Sequence, residues 1–134
     1  MKSKFEDVIA EQGKLVYTHV GDSMYPTIMP HDLLVIEAVT RPLKKYDIPL
    51  YKRDNGQYVL HRIISDRGGE GVICGDNRRN REYGITERNV IGVLTTIIRD
   101  GRELSVYAPK FWIFARLLPL RRLMLGVRNR LIKR

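Results

Sequence analysis

Short runs of β-branched and aromatic residues recur along this chain, and each is cut off by a turn signal before it reaches the length of a helix. The runs cover residues 15–20, 33–38, 48–53, 58–65, 71–74, 90–99 and 103–107, with Asp54-Asn55-Gly56, Arg67-Gly68-Gly69 and Asp100-Gly101 among the breaks. Glycine and asparagine supply the backbone angles that tight turns require, so this punctuation predicts strands joined as hairpins. The expected fold is mainly β, a coiled, barrel-like antiparallel sheet. Pro42 and Pro49 are expected at strand starts or edges, where a missing N–H is tolerated. The sequence contains no internal repeat and no low-complexity segment.

Two helices are expected outside the sheet. Residues 1–12 carry Glu6, Asp7 and Glu11, which argues against a signal peptide and for a short amphipathic helix with Phe5, Val8 and Ile9 inward. At 134 residues the chain is long enough to bury one real core, and 43% hydrophobic with 29% charged residues excludes a disordered chain. We expect one body, residues 1–107, followed by a tail, residues 108–134. Cys74 is the single cysteine, which excludes an internal disulfide; it reads as a small buried hydrophobe in a strand.

One turn differs from the rest. Residues 21–27, Gly-Asp-Ser-Met-Tyr-Pro-Thr, place Ser23 in a tight, proline-limited turn directly after an extended apolar run. Gly21 can take a backbone angle closed to other residues, and Met24 and Ile28 are expected to pack beneath. A serine hydroxyl is inert at neutral pH without a base. His61, within Tyr58-Val59-Leu60-His61-Arg62, is the best candidate for that base, and Ile73-Cys74-Gly75-Asp76-Asn77 follows with a carboxylate. Imidazole, with a pKa of about 6.5, is mostly neutral at pH 7 and can accept the serine proton, while a carboxylate on its other nitrogen would fix the tautomer. Such chemistry needs no metal and no cofactor. Each residue also has a plainer reading: Ser23 as a turn residue, His61 as a core or edge histidine, Asp76 as a turn builder with Asn77, and Glu82 as an ion-pair partner. His19 and His31 lack comparable company. His31, beside Asp32, reads as a surface residue, and the three histidines do not have zinc-site spacing.

The order of these segments resembles a known family. Gly21-Asp22-Ser23-Met24-Tyr25-Pro26-Thr27-Ile28, then Asp32-Leu33-Leu34-Val35, Tyr46-Asp47-Ile48, His61-Arg62, Gly75-Asp76-Asn77 and Ile91-Gly92-Val93 are similar, over residues 17–96, to the signal peptidase I clan of serine peptidases. Bacterial signal peptidases and self-cleaving repressors of that clan use a lysine base, and the endoplasmic-reticulum type uses histidine; this chain has histidine at the matching position. The resemblance implies Ser23 as nucleophile and His61 as general base. It implies an acid six residues beyond the aspartate of the Gly-Asp-Asn box, which falls on Glu82, with Asp76 the rival. The chain departs from the family at Glu82, where aspartate is usual, and at Gly21, where a serine often donates to the oxyanion. Backbone N–H groups, chiefly that of Ser23, would then have to serve.

Charge is the second informative feature. After Glu103 there is no acidic residue, while Lys110, Arg116, Arg121, Arg122, Arg128, Arg130, Lys133 and Arg134 account for nearly all of the formal net charge of +9. Between them lie Phe111-Trp112-Ile113-Phe114, Leu117-Leu118, Leu120, Leu123, Met124, Val127 and Leu131. Arginines interrupt any stretch near the roughly 20 residues needed to span a bilayer. We therefore expect residues 110–134 to form a basic amphipathic helix, bent near Pro119, lying on an anionic membrane surface. The alternative is an apolar face that covers the β-body or forms a dimer contact. Nucleic acid is not an expected partner, because the apolar content is high and no base-reading motif is present.

The function expected is that of a serine endopeptidase acting near a membrane on the leader or signal segment of a peptide or preprotein, bound as an added β-strand with small residues at the scissile bond. A narrower form is maturation of one particular peptide. From other classes come a catalytically degenerate peptidase fold used for binding, and a repressor-type self-cleavage module. The module is disfavoured by the 22 residues before Ser23, which leave no DNA-binding domain. The peripheral location has opposing indications: positive charge favours the cytoplasmic face, and signal peptidases work on the other.

Overall fold

The computed structural model describes residues 4–19, 21–67 and 70–132. Val20, the turn residues Gly68 and Gly69, the first three residues of the expected N-terminal helix, and Lys133 and Arg134 of the tail lie outside the described residues.

Helix α1 (Phe5–Gln12) ends at Gly13, which adopts a left-handed conformation. It leads into β1 (Lys14–Thr18), followed by β2 (Leu33–Glu37), β3 (Pro49–Lys52), β4 (Tyr58–Leu60), β5 (Arg62–Arg67), β6 (Glu70–Cys74), β7 (Glu82–Ile85), β8 (Val90–Arg99) and β9 (Arg102–Ser105). Helix α2 (Pro109–Ile132) follows. The main sheet has the order β1-β2-β8-β3-β4, with β9 also on β8, and β5-β6-β7 form a second sheet. All pairs are antiparallel. Register shifts at Val35/Ile36 and at Leu50/Tyr51 bend the strands against β8, which increases local twist and curls the main sheet into a half-barrel. Asp100 and Gly101, at φ 52° and 76°, make the tight hairpin between β8 and β9.

The mainly β fold expected from the turn spacing is the fold observed. The strand read as residues 58–65 is in fact two, because the chain leaves the main sheet at His61 and enters the second. Strand β7 is an addition. Its polar flank, Asn77 to Arg81, and Gly84 within it give no strand period.

Alternate residues of β2 face inward, whereas β3 is buried from Pro49 to Tyr51 and β8 steps by three between Leu94 and Ile97; Leu34, Ile36, Leu50, Leu94 and Ile97 are almost fully buried. Ile9 of α1 and Phe111 of α2 join that core. Phe5 and Val8 are half-buried. A smaller cluster, Tyr51, Val59, Ile63, Ile73 and Ile85, ties the two sheets together. Cys74 is buried, as expected of a small hydrophobe.

Helix α2 continues through Pro119 and has two apolar faces. Phe111, Ala115, Leu118 and Arg122 are buried, at the spacing of one helical stripe. At 3.6 residues per turn, Trp112, Ile113, Leu117, Leu120, Leu123, Met124 and Val127 fall on the other side, and all seven are exposed. Arg116 stacks on Trp112 at 3.5 Å and on Tyr46 at 4.4 Å. Among the described residues no helix is long and apolar enough to cross a membrane.

Candidate functional site

The turn that carries Ser23 is pinned from several directions. Gly21 sits at φ 99°, an angle open mainly to glycine. Met24 and Ile28 are buried beneath the turn, as the sequence implied. Arg99 of β8 forks onto Asp32 at 2.9 and 2.8 Å, and Asp32 also accepts from the Met29 N–H. The backbone N–H of Asn77 donates to the Ser23 carbonyl at 2.9 Å. The main chain of Ser23 is therefore held by the segment that contains the Gly-Asp-Asn box.

His61 lies between the two sheets, where β4 ends and β5 begins, so its side chain belongs to neither strand's alternation. Gly75 brings it to Ser23. A Cβ at position 75 would meet the Ser23 carbonyl at 2.7 Å and His61 Nε2 at 3.2 Å, so only glycine allows both to close on the same point. Burial, with Arg53 nearby, holds the His61 pKa down at about 4, and the Glu82 carboxylate opposes that shift. At pH 7 the ring is neutral and able to take a proton. Among the described residues no hydrogen bond joins Ser23 to His61, or His61 to Glu82.

The two candidate acids occupy different settings. Glu82 accepts from Tyr51 Oη at 2.6 Å and from Arg53 Nε and Nη2 at 3.0 and 2.9 Å. Its bonds to Arg53 hold its carboxyl below the usual range, so it is ionised near His61. Asp76 is fully buried and caged. Arg62 donates to it twice, Nε and Nη2 each at 2.9 Å, and Thr27 Oγ1 donates at 2.6 Å. That cage links the serine turn, the strand after His61 and the Gly-Asp-Asn box, which is a bracing role.

Sequence reasoning missed several contributors. His19 lies in the same cavity as Ser23 and His61; its position two residues after Tyr17, continuing the alternation of β1, was the available signal. Arg53 orients Glu82, and Arg78 pairs with Asp22 at 2.6 Å beside the serine. Helix α2 also reaches the site. Arg121 donates to the Asp76 carbonyl at 2.8 Å and to Asn77 Oδ1 at 3.0 Å, and Arg122 donates to the Arg78 carbonyl at 3.3 Å. Nothing local in the sequence pairs residues so distant. His31 is exposed.

The cavity that Ser23, His61 and His19 share has a volume of about 480 Å³, within the range of small-ligand and peptide pockets. Phe5, Tyr17 and Tyr58 form its aromatic wall, with ring centroids 5.3 Å apart for Phe5 and Tyr17 and 4.8 Å for Phe5 and Tyr58. A larger cavity of about 630 Å³, lined by Arg41, Leu43, Ile63 and Ile85 among others, contains none of the candidate catalytic groups. Among the described residues no group of three His, Cys, Asp or Glu is placed to hold a metal ion. The sequence matches no protein-family model and no curated protein. Chemically, a neutral imidazole beside a fixed serine turn, with an ionised carboxylate nearby, can support acyl transfer.

Proposed function

We propose that this chain is a serine endopeptidase resembling signal peptidase I, of the Ser–His type, which removes a leader or signal segment from a peptide or preprotein at a membrane surface. The observation that carries this reading is the shared approach of the Ser23 main chain and His61 Nε2 to Gly75, in one cavity. Ser23 Oγ attacks the scissile carbonyl, His61 takes its proton and returns it to the leaving amine, and water then deacylates the serine with His61 again as base. Glu82 acts as the orienting carboxylate, and Asp76 braces the loop. Strands β1 and β4, at the two ends of the main sheet's strand order, both border the cavity, which suits an extended peptide added as a strand. The seven exposed apolar residues of α2, flanked by Lys110, Arg116 and Arg128, support placement on an anionic lipid surface.

The test is hydrolysis of an internally quenched peptide. Ser23→Ala should abolish turnover and leave the melting temperature unchanged, because a half-buried turn hydroxyl with no hydrogen bond among the described residues adds little stability. Full activity in a folded Ser23→Ala protein would remove the peptidase reading. A second reading, a peptide-binding module on the same fold, is favoured by the absence of a Ser23 to His61 hydrogen bond among the described residues. It predicts peptide binding by the unaltered protein with no cleavage.

A further inference from the structure

His19 is half-buried in the wall of the cavity that holds Ser23 and His61. Its Nε2 is sealed from solvent and has no hydrogen-bond partner among the described residues. Nδ1 has no hydrogen-bond partner among the described residues, and the ring lines the cavity.

The two nitrogens then decide the ring's state. A doubly protonated ring would bury an unpaired charged N–H, and a neutral ring with its proton on Nε2 would bury an unpaired neutral one. Orphaned buried N–H groups are rarer and costlier than an unmatched lone pair. The favoured form is neutral with the proton on Nδ1, which leaves this cavity-lining ring one uncharged N–H donor. Burial lowers the pKa of His19 and so acts in the same direction.

An uncharged donor complements a carbonyl oxygen. Because His19 directly follows the edge strand β1, a peptide laid along that edge would bring its main-chain carbonyls past the ring. We propose that His19 is a substrate-contacting residue whose Nδ1–H donates to a main-chain carbonyl of the bound peptide, holding it in register with Ser23. The proposal rests on the peptidase reading above.

The test measures hydrolysis by the full chain of an internally quenched peptide carrying an apolar run followed by alanine at the scissile bond. His19→Leu should raise KM about tenfold with kcat within about twofold, since the lost interaction is equally present in ground and transition states. His19→Gln, which keeps a neutral N–H donor, should recover most of that KM. The melting temperature of His19→Leu should not fall, because the substitution removes an orphaned polar atom. If the leucine variant fails to fold, His19→Phe retains a planar ring without nitrogen and takes its place. An unchanged KM in the leucine or phenylalanine variant overturns the proposal, as does a loss confined to kcat or a glutamine variant no better than leucine. No cleavage by the unaltered protein would instead defeat the peptidase reading, and this proposal with it, and that outcome is visible before any His19 variant is made.

Discussion

Replacing Asp76 by asparagine separates bracing from chemistry at this site. In the folded protein the Arg62 and Asp76 side chains are 4% and 0% exposed, and the guanidinium has two bonds of 2.9 Å to the carboxylate. Asp76→Asn keeps the shape and removes the charge, which leaves Arg62 buried without compensation. Breaking a buried pair from one side costs about 3–5 kcal/mol. That is a large share of the roughly 5–15 kcal/mol that stabilises a domain, and for a chain of this size it corresponds to a fall in melting temperature of about 10–20 °C. Urea unfolding followed by circular dichroism would measure the loss, at a slope unchanged from the unaltered protein. Adding Arg62→Met should recover part of it by removing the stranded cation. Glu82→Gln is the companion variant, and it should lower kcat in the peptide assay with the smaller stability loss expected of a partly exposed ion pair. If Asp76→Asn stays within about 1 kcal/mol of the unaltered protein yet loses turnover, while Glu82→Gln keeps it, the bracing argument is wrong and Asp76 is the triad acid.

Three further outcomes follow from the structure. Because His61 must be neutral to act as base and its pKa is held at about 4, kcat/KM should stay level down to near pH 5 and fall through pH 4; a limb at about 6.5, or one moved to alkaline pH, would refute the base assignment. The same shift makes the unfolded chain bind a proton that the fold refuses, so stability should be full above pH 6.5 and decline as pH falls towards 4. On α2, changing Leu117, Leu120, Leu123 and Met124 together to glutamine should leave the melting temperature in place, because all four are exposed, and should abolish co-sedimentation with anionic vesicles. Retained binding by the fourfold variant, or indifference of the unaltered protein to vesicles, would remove the membrane placement.

Strand content, the two helices and the serine turn were legible in the sequence because they depend on local periodicity and on residues with restricted backbone angles. The turn residues Gly21, Asp100 and Gly101 have the positive φ their sequence signals implied, and Met24, Ile28 and Cys74 are buried as their apolar character required. Tertiary structure decided what depends on contacts between distant segments. The break at His61 arises because residues 58–60 pair with β3 while 62–67 pair with β6, and a single strand pattern cannot announce a change of sheet. Asp76 and Glu82 could not be ranked from their spacing; only packing shows one carboxylate enclosed by Arg62 and Thr27 and the other held beside His61 by Arg53. The tail likewise offered lipid contact or packing as alternatives, and the helix has one buried stripe and an opposite apolar face that is exposed. Buried charge and hydrogen-bond partners are set where remote segments meet, and that meeting is a property of the folded chain.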